Sequence, residues 1–246
     1  MSLISTPVLS LPSKTANGKI SVKVDVVPMT QELIATWMHY VQPLITDNYV
    51  EVSSPDGDYF VRADKNWDWE QNFQLLVGHN CLCDWNGFAH GEAIAMCVVI
   101  KPEENDDEFP IGMLIAVPKF YCNVYNHKRY RGFTWFLADA PDELYSEVLE
   151  IPIIEGVATS LVNCSITATL DGGLDGEMLL KADPMGGDKL INFYTKWGLE
   201  RLPANHPPVS RYRKEELDRY FYFDAASALA FSADLANRCR KLLASV

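Results

Sequence analysis

The chain has 246 residues, of which 48% are hydrophobic and 22% charged, a composition that builds a folded core and excludes a disordered chain. Its 21 Lys and Arg against 33 Asp and Glu leave a net charge of −12, which repels phosphate backbones and anionic lipid surfaces. No nucleic-acid or membrane partner is therefore expected.

No segment reaches the roughly 18 unbroken apolar residues that a membrane-spanning helix needs. Residues 1–18 lack the basic start and apolar core of a secretion signal. The six cysteines, at 81, 83, 97, 122, 164 and 239, show no framework spacing and read as reduced residues. A cytoplasmic location is expected.

Residues 1–18, rich in Ser, Thr and Pro, read as an arm, and residues 19–246 as one domain with insertions and a C-terminal helix. Ile20 to Val27 alternates apolar and polar, the pattern of a half-buried strand. Thr30 is placed to cap a helix through about Tyr40, closed by Pro43. Residues 46–66 are turn-rich and acidic. Trp69, Phe73 and Val77 share one face of a short helix from Trp67 to Val77. Cys81 to Trp85 then reads as a strand entering a hairpin at Asn86-Gly87.

Ala93 to Ile100 is a nearly continuous apolar run, hence a central strand, and 103–108 an acidic hairpin tip. Residues 111–120, 133–137 and 144–151 are further strands, and the cations of 127–131 form a solvated loop. From Gly156 to Leu170 the period becomes helical, with Val157, Leu161, Cys164 and Ala168 on one stripe and Gly172-Gly173 at the end. A buried strand at 178–182, a turn at Pro184 and Gly186-Gly187, and a helix from Lys189 to Trp197 stopped by Gly198 follow. Tyr220 to Phe223 is a last strand. The apolar stripe of a final helix, 225–243, either packs on the core or makes a homodimer. The order argues an α/β or α+β domain with a mixed sheet covered by helices.

Two segments carry chemistry. Gly156-Val157-Ala158 opens a helix whose first amides have no intrahelical partner and so suit an anion. About thirty-five residues on, Phe193-Tyr194-Thr195-Lys196-Trp197-Gly198-Leu199 sets a phenol near a helix end. In this order and separation they resemble the acyl-CoA-binding half of the GNAT acetyltransferase superfamily, over roughly residues 144–203. The family's phosphate loop, Arg/Gln-x-x-Gly-x-Gly/Ala, would here be Ile153 to Ala158, with Ile153 in place of the Arg or Gln. Gly187 stands where the family often carries an Asn. Ile151-Pro152 lies near the family's strand-end Val-x-Pro.

The resemblance implies a mostly antiparallel central sheet flanked by helices, and acetyl-CoA as co-substrate. It implies cofactor contacts at Ile151, Ile153, Glu155, Gly156, Val157, Ala158 and Thr159. It also implies Tyr194 as the acid that protonates the departing thiolate. Glu147 and Glu150, with Asp139 competing, are the candidate bases for a small amine or peptide amine acceptor. The alternative is a GNAT-like scaffold that has lost catalysis and binds a ligand or a protein.

Two other constellations are weaker. His79, Cys81, Cys83 and His90 would hold zinc if a strand put the first three on one face. Cys-x-Cys lacks the usual Cys-x-x-Cys knuckle, so buried structural cysteines are the commoner explanation and no metal is expected. Cys164 and Cys122 are conceivable nucleophiles, yet nothing local activates either thiol.

Overall fold

The first described residues form a two-stranded ribbon. β1 (Val8–Thr15) pairs antiparallel along its whole length with the first part of β2 (Gly18–Pro28). Val24 and Val26 of β2 and Leu11 of β1 are buried. The leading residues expected to form an arm thus contribute an edge strand. This computed structural model describes residues 8–15, 18–49, 62–86, 90–102 and 107–243.

Thr30 caps α1 (Gln31–Thr36), its Oγ1 accepting the Leu33 N–H at 3.3 Å. The helix does not end near Tyr40. A π-turn over Trp37–Val41 leads into α2 (Gln42–Asn48). Pro43 sits in the first turn of α2, where a missing N–H costs least, and so opens a helix that it was expected to close.

α3 (Trp69–Asn86) is longer than expected and absorbs the supposed Cys81–Trp85 strand. Helical spacing sets Trp69 and Leu76 into the core, and the Asn80 side chain clasps both backbone groups of Ala93, at 2.7 and 2.9 Å. Gly87, the other half of the expected hairpin, lies outside the described residues.

β3 (Ile94–Ile100), β4 (Phe109–Val124) and β5 (His127–Asp139) form an antiparallel meander. Of the acidic tip, 103–106 lie outside the described residues. The basic run 127–131 is the first part of β5, not a loop.

Residues 144–151 are not a strand. Leu144, Tyr145, Val148 and Leu149 recur at helical spacing, and Leu144–Val148 is a π-turn that buries Leu144 and Tyr145. Beyond it, α4 (Val157–Asp171), β6 (Met178–Lys181), α5 (Gly187–Lys196), β7 (Glu200–Arg201), β8 (Tyr220–Phe223) and α6 (Ala225–Leu243) complete the order.

The eight strands form one sheet in the order β1-β2-β3-β4-β5-β6-β8-β7. Every adjacent pair is antiparallel except β5 and β6, which are parallel over Gly132–Thr134 and Met178–Leu180 alone. The fold is thus a mostly antiparallel mixed sheet flanked by helices. One core cluster gathers β2–β5, the N-terminal helices and one side of α4; a second joins α4, α5, β6, β8 and α6. α6 packs inward through other residues than the leucine stripe alone: Ala228 and Leu235 are buried and Phe231 meets Phe223 and Trp197, while Leu229 is exposed.

Candidate active-site cleft

Two local features open the sheet between β5 and β6. Ile115 pairs with Phe136 while Ala116 pairs with Thr134, so Trp135 is an extra residue, a bulge that bends β5 and sharpens its twist. Past Thr134, β5 runs on through Asp139 paired with β4 alone among the described residues, and β6 ends at Lys181. The splayed strands bound a cavity of about 530 Å³. β5 lines it with residues 133–139, the end of β6 with Leu180 and Lys181, α5 with Lys189, Leu190, Phe193 and Tyr194, and α4 with Ala158.

At the α4 end of the cavity the chain turns through Gly156, whose φ of 88° falls in the left-handed region that favours glycine. No side chain caps this helix. Ser160 N–H donates to Gly156 O at 3.0 Å, but the amides of Val157, Ala158 and Thr159 meet no acceptor among the described residues. Uncapped amides at the positive end of a helix dipole form an anion site.

Tyr194 faces the same cavity from α5 and is otherwise buried against Phe221 and Trp197. Burial, with Asp139 next in weight, pushes its phenol well above the ordinary range, so it holds its proton at neutral pH. Asp139 ends β5 at the cavity wall. Its carboxyl is raised by burial, against the opposing pull of Arg62.

Arg62 organises that wall. Its Nε and Nη2 donate to the two carboxylate oxygens of Asp64, at 2.9 and 2.7 Å, and Nη2 also donates to the Asp139 carbonyl at 2.6 Å. The turn carrying Arg62 is braced from below. Trp37 Nε1 donates to Gln42 Oε1 at 3.2 Å, and Gln42 Nε2 donates to the carbonyls of Asp64 and Lys65 at 2.9 and 3.0 Å. Tyr49 donates to Glu143 at 3.2 Å, and burial followed by that carboxylate pushes its phenol up to about 12. Tyr49, Arg62, Asp64 and Lys189 all line the cavity and were not anticipated. The only local signal was Arg-Ala-Asp at 62–64, inside a stretch that reads as acidic turns.

The anticipated residues are spread unevenly. Tyr194, Ala158 and Asp139 share the cleft. Glu147 and Glu150 are exposed on and just after the π-turn and do not line it. Val157 and Thr159 are buried in the first turn of α4, and Ile151 and Ile153 are half-buried in the connection before it. Glu155 is turned toward the β1–β2 ribbon, where Lys14 and Lys19 each approach it at 2.7 Å.

The possible zinc set does not assemble. On helix α3, His79 and Cys83 lie one turn apart, with Sγ 3.5 Å from Nε2, while Cys81 is exposed. His90 stacks on Phe120 and accepts the Tyr121 N–H at Nδ1, 3.0 Å away. Among the described residues no three metal donors gather. Burial raises the thiols of Cys122 and Cys164, to about 11 and about 12, so both stay protonated and poorly nucleophilic. No described helix is long and apolar enough to cross a membrane.

No family model matches the chain, and no curated protein matches it. Solved structures do. An acetyltransferase of the GNAT family from Staphylococcus aureus Mu50 aligns at 11% identity with a TM-score of 0.45, over 81% of this chain and 97% of that one. A mutant AtaT toxin, bound to the C-terminus of the antitoxin AtaR and acetyl-CoA, aligns at 13% identity with a TM-score of 0.39, over 66% of this chain and 85% of that one. The KacTA–DNA complex aligns at 11% identity with a TM-score of 0.38, over 67% of this chain and 86% of that one.

One expectation is overturned by these similar structures. One is a complex with DNA and another is bound to an antitoxin protein, so the exclusion of nucleic acid and the restriction to a small amine or peptide amine are withdrawn.

Proposed function

We propose that the chain is an acetyl-CoA-dependent acetyltransferase that acylates a nitrogen nucleophile. The observation that carries this reading is the convergence, in one cleft, of the uncapped start of α4, the open edge of β5 and the phenol of Tyr194. The amides of Val157, Ala158 and Thr159 would take the diphosphate, and the unpaired edge of β5 would take the amide groups of the pantetheine arm.

Acetyl-CoA supplies the activated acyl carbonyl. Attack on it forms the new C–N bond and breaks the C–S bond. The proton shed by the acceptor goes to Asp139, which lines the cleft and whose carboxyl is raised above the ordinary carboxylate range. The thiolate takes its proton from Tyr194, which still carries one at neutral pH. Arg62 positions Asp139 by holding its carbonyl.

A second reading, binding without turnover, is favoured by one feature: Ile153 brings no polar group to the loop, and Gly187 none to the start of α5. The first test is thermal unfolding with and without millimolar acetyl-CoA. A ligand at 100 times its Kd adds about 2.7 kcal/mol, a clear rise in Tm. Absence of any shift would sink the acetyltransferase reading and leave a scaffold that binds another ligand or a protein.

A further inference from the structure

The connection that delivers the chain to α4 is fastened to the N-terminal ribbon. Residues 152–155 run along the side of β1 that β2 leaves free, with Ser13 bridging Ile154. Lys14 N–H donates to Ile153 O at 3.1 Å, Glu155 N–H donates to Pro12 O at 2.8 Å, and the Ser13 hydroxyl donates to Pro152 O at 3.0 Å. Pro12, which has no N–H, needs only to accept on this side. The Glu155 carboxylate then lies between Lys14 Nζ and Lys19 Nζ, 2.7 Å from each, which lowers its pKa. Gly156 and the uncapped turn of α4 follow immediately.

Both lysines are more than half exposed, so the pairs add little to global stability. Their effect is local. A lone carboxylate two residues before the helix would repel an incoming diphosphate. Two ammonium groups around it leave one net positive charge there and fix the direction of the turn.

We infer that Lys14, Lys19 and Glu155 are positioning residues for the start of α4, holding its amides in place for the diphosphate of the CoA thioester. This rests on the acyl-CoA reading, and it assigns to the ribbon the role that an Arg or Gln at position 153 would otherwise fill.

The test is a charge exchange, with CoA affinity read by calorimetry and exchange of the 153–159 amides read without ligand. Glu155→Lys sets three cations together and releases the fastening, although it makes the site more positive. CoA affinity should fall at least tenfold with Tm nearly unchanged, and the amides should exchange faster. The triple variant K14E/K19E/E155K restores opposite charges and should recover slow exchange and part of the affinity. Unchanged exchange, or tighter CoA binding by Glu155→Lys, would overturn the inference and leave the acyl-CoA reading intact. Failure of the wild-type protein to bind CoA, with exchange still altered, would instead sink the acyl-CoA reading and with it the diphosphate role, while the fastening itself stood.

Discussion

Gly112 of β4 lies directly beneath Val157 of α4: a β-carbon at 112 would come within 2.6 Å of Val157 Cγ1 and 3.1 Å of Leu161 Cδ1. The first turn of the helix rests on bare backbone. Gly112→Ala forces that turn off the sheet, and overpacking of this kind costs about 1–3 kcal/mol. Urea unfolding should show the loss, and acetyl-CoA should stabilise the variant less than the wild type.

Tyr194→Phe keeps the ring packed on Phe221 and removes only the hydroxyl. If the phenol protonates the thiolate, turnover should fall by roughly 10²–10⁴-fold, the usual worth of general acid catalysis. Stabilisation by acetyl-CoA should survive. Thiol release and thermal shift, measured side by side on one preparation, separate the two effects. Unaltered thiol release would remove Tyr194 from the mechanism.

Arg131 and Glu177 form a buried pair, their side chains 2% and 5% exposed, with Nε to Oε2 at 2.7 Å. Arg129 reaches the other oxygen of the same carboxylate. Glu177→Ala strands the Arg131 guanidinium without its counter-charge. Breaking a buried pair from one side costs about 3–5 kcal/mol. The midpoint of urea unfolding should drop accordingly, more than for loss of the exposed Arg201–Asp218 pair.

His90 gives the fold a pH dependence of known sign. Burial, followed by His79 and Arg213, lowers its pKa to about 4 from the ordinary 6.5. The native state thus prefers the neutral ring, whose Nδ1 accepts from Tyr121. Its contribution is complete above about pH 6.5 and is lost as pH falls toward 4. Urea midpoints across that window should fall more steeply for the wild type than for His90→Gln. Parallel slopes would show that carboxylates alone set the dependence.

From Gly156 to Phe223 the structure follows the sequence closely, because there the hydrophobic period switches sharply and glycines punctuate it. Gly156 and Gly198, at φ of 88° each, mark the entry to α4 and the exit from α5. Elsewhere local pattern misleads for identifiable reasons. The Cys81–Trp85 run carries two overlapping periods, and only Trp69, Leu76 and Asn80 upstream reveal that the helix continues. The run 144–151 is apolar enough for a strand, yet Leu144, Tyr145, Val148 and Leu149 recur at helical spacing and Leu144–Val148 is a π-turn. β1 is legible only through partners at both its flanks. The Arg62–Asp139 contact joins residues 77 positions apart, from segments with no shared motif, and only folding brings them together.

The gap between β5 and β6 bears on how this surface could evolve. In the acyl-CoA reading, its cofactor-binding groups are peptide amides and carbonyls, whereas Asp139, Arg62 and Tyr194 would act through their side chains. Other side chains along such a groove are free to drift provided the bulge, the turn at Gly156 and the support beneath α4 persist. A site written in backbone rather than in residue identity outlasts its own sequence signature.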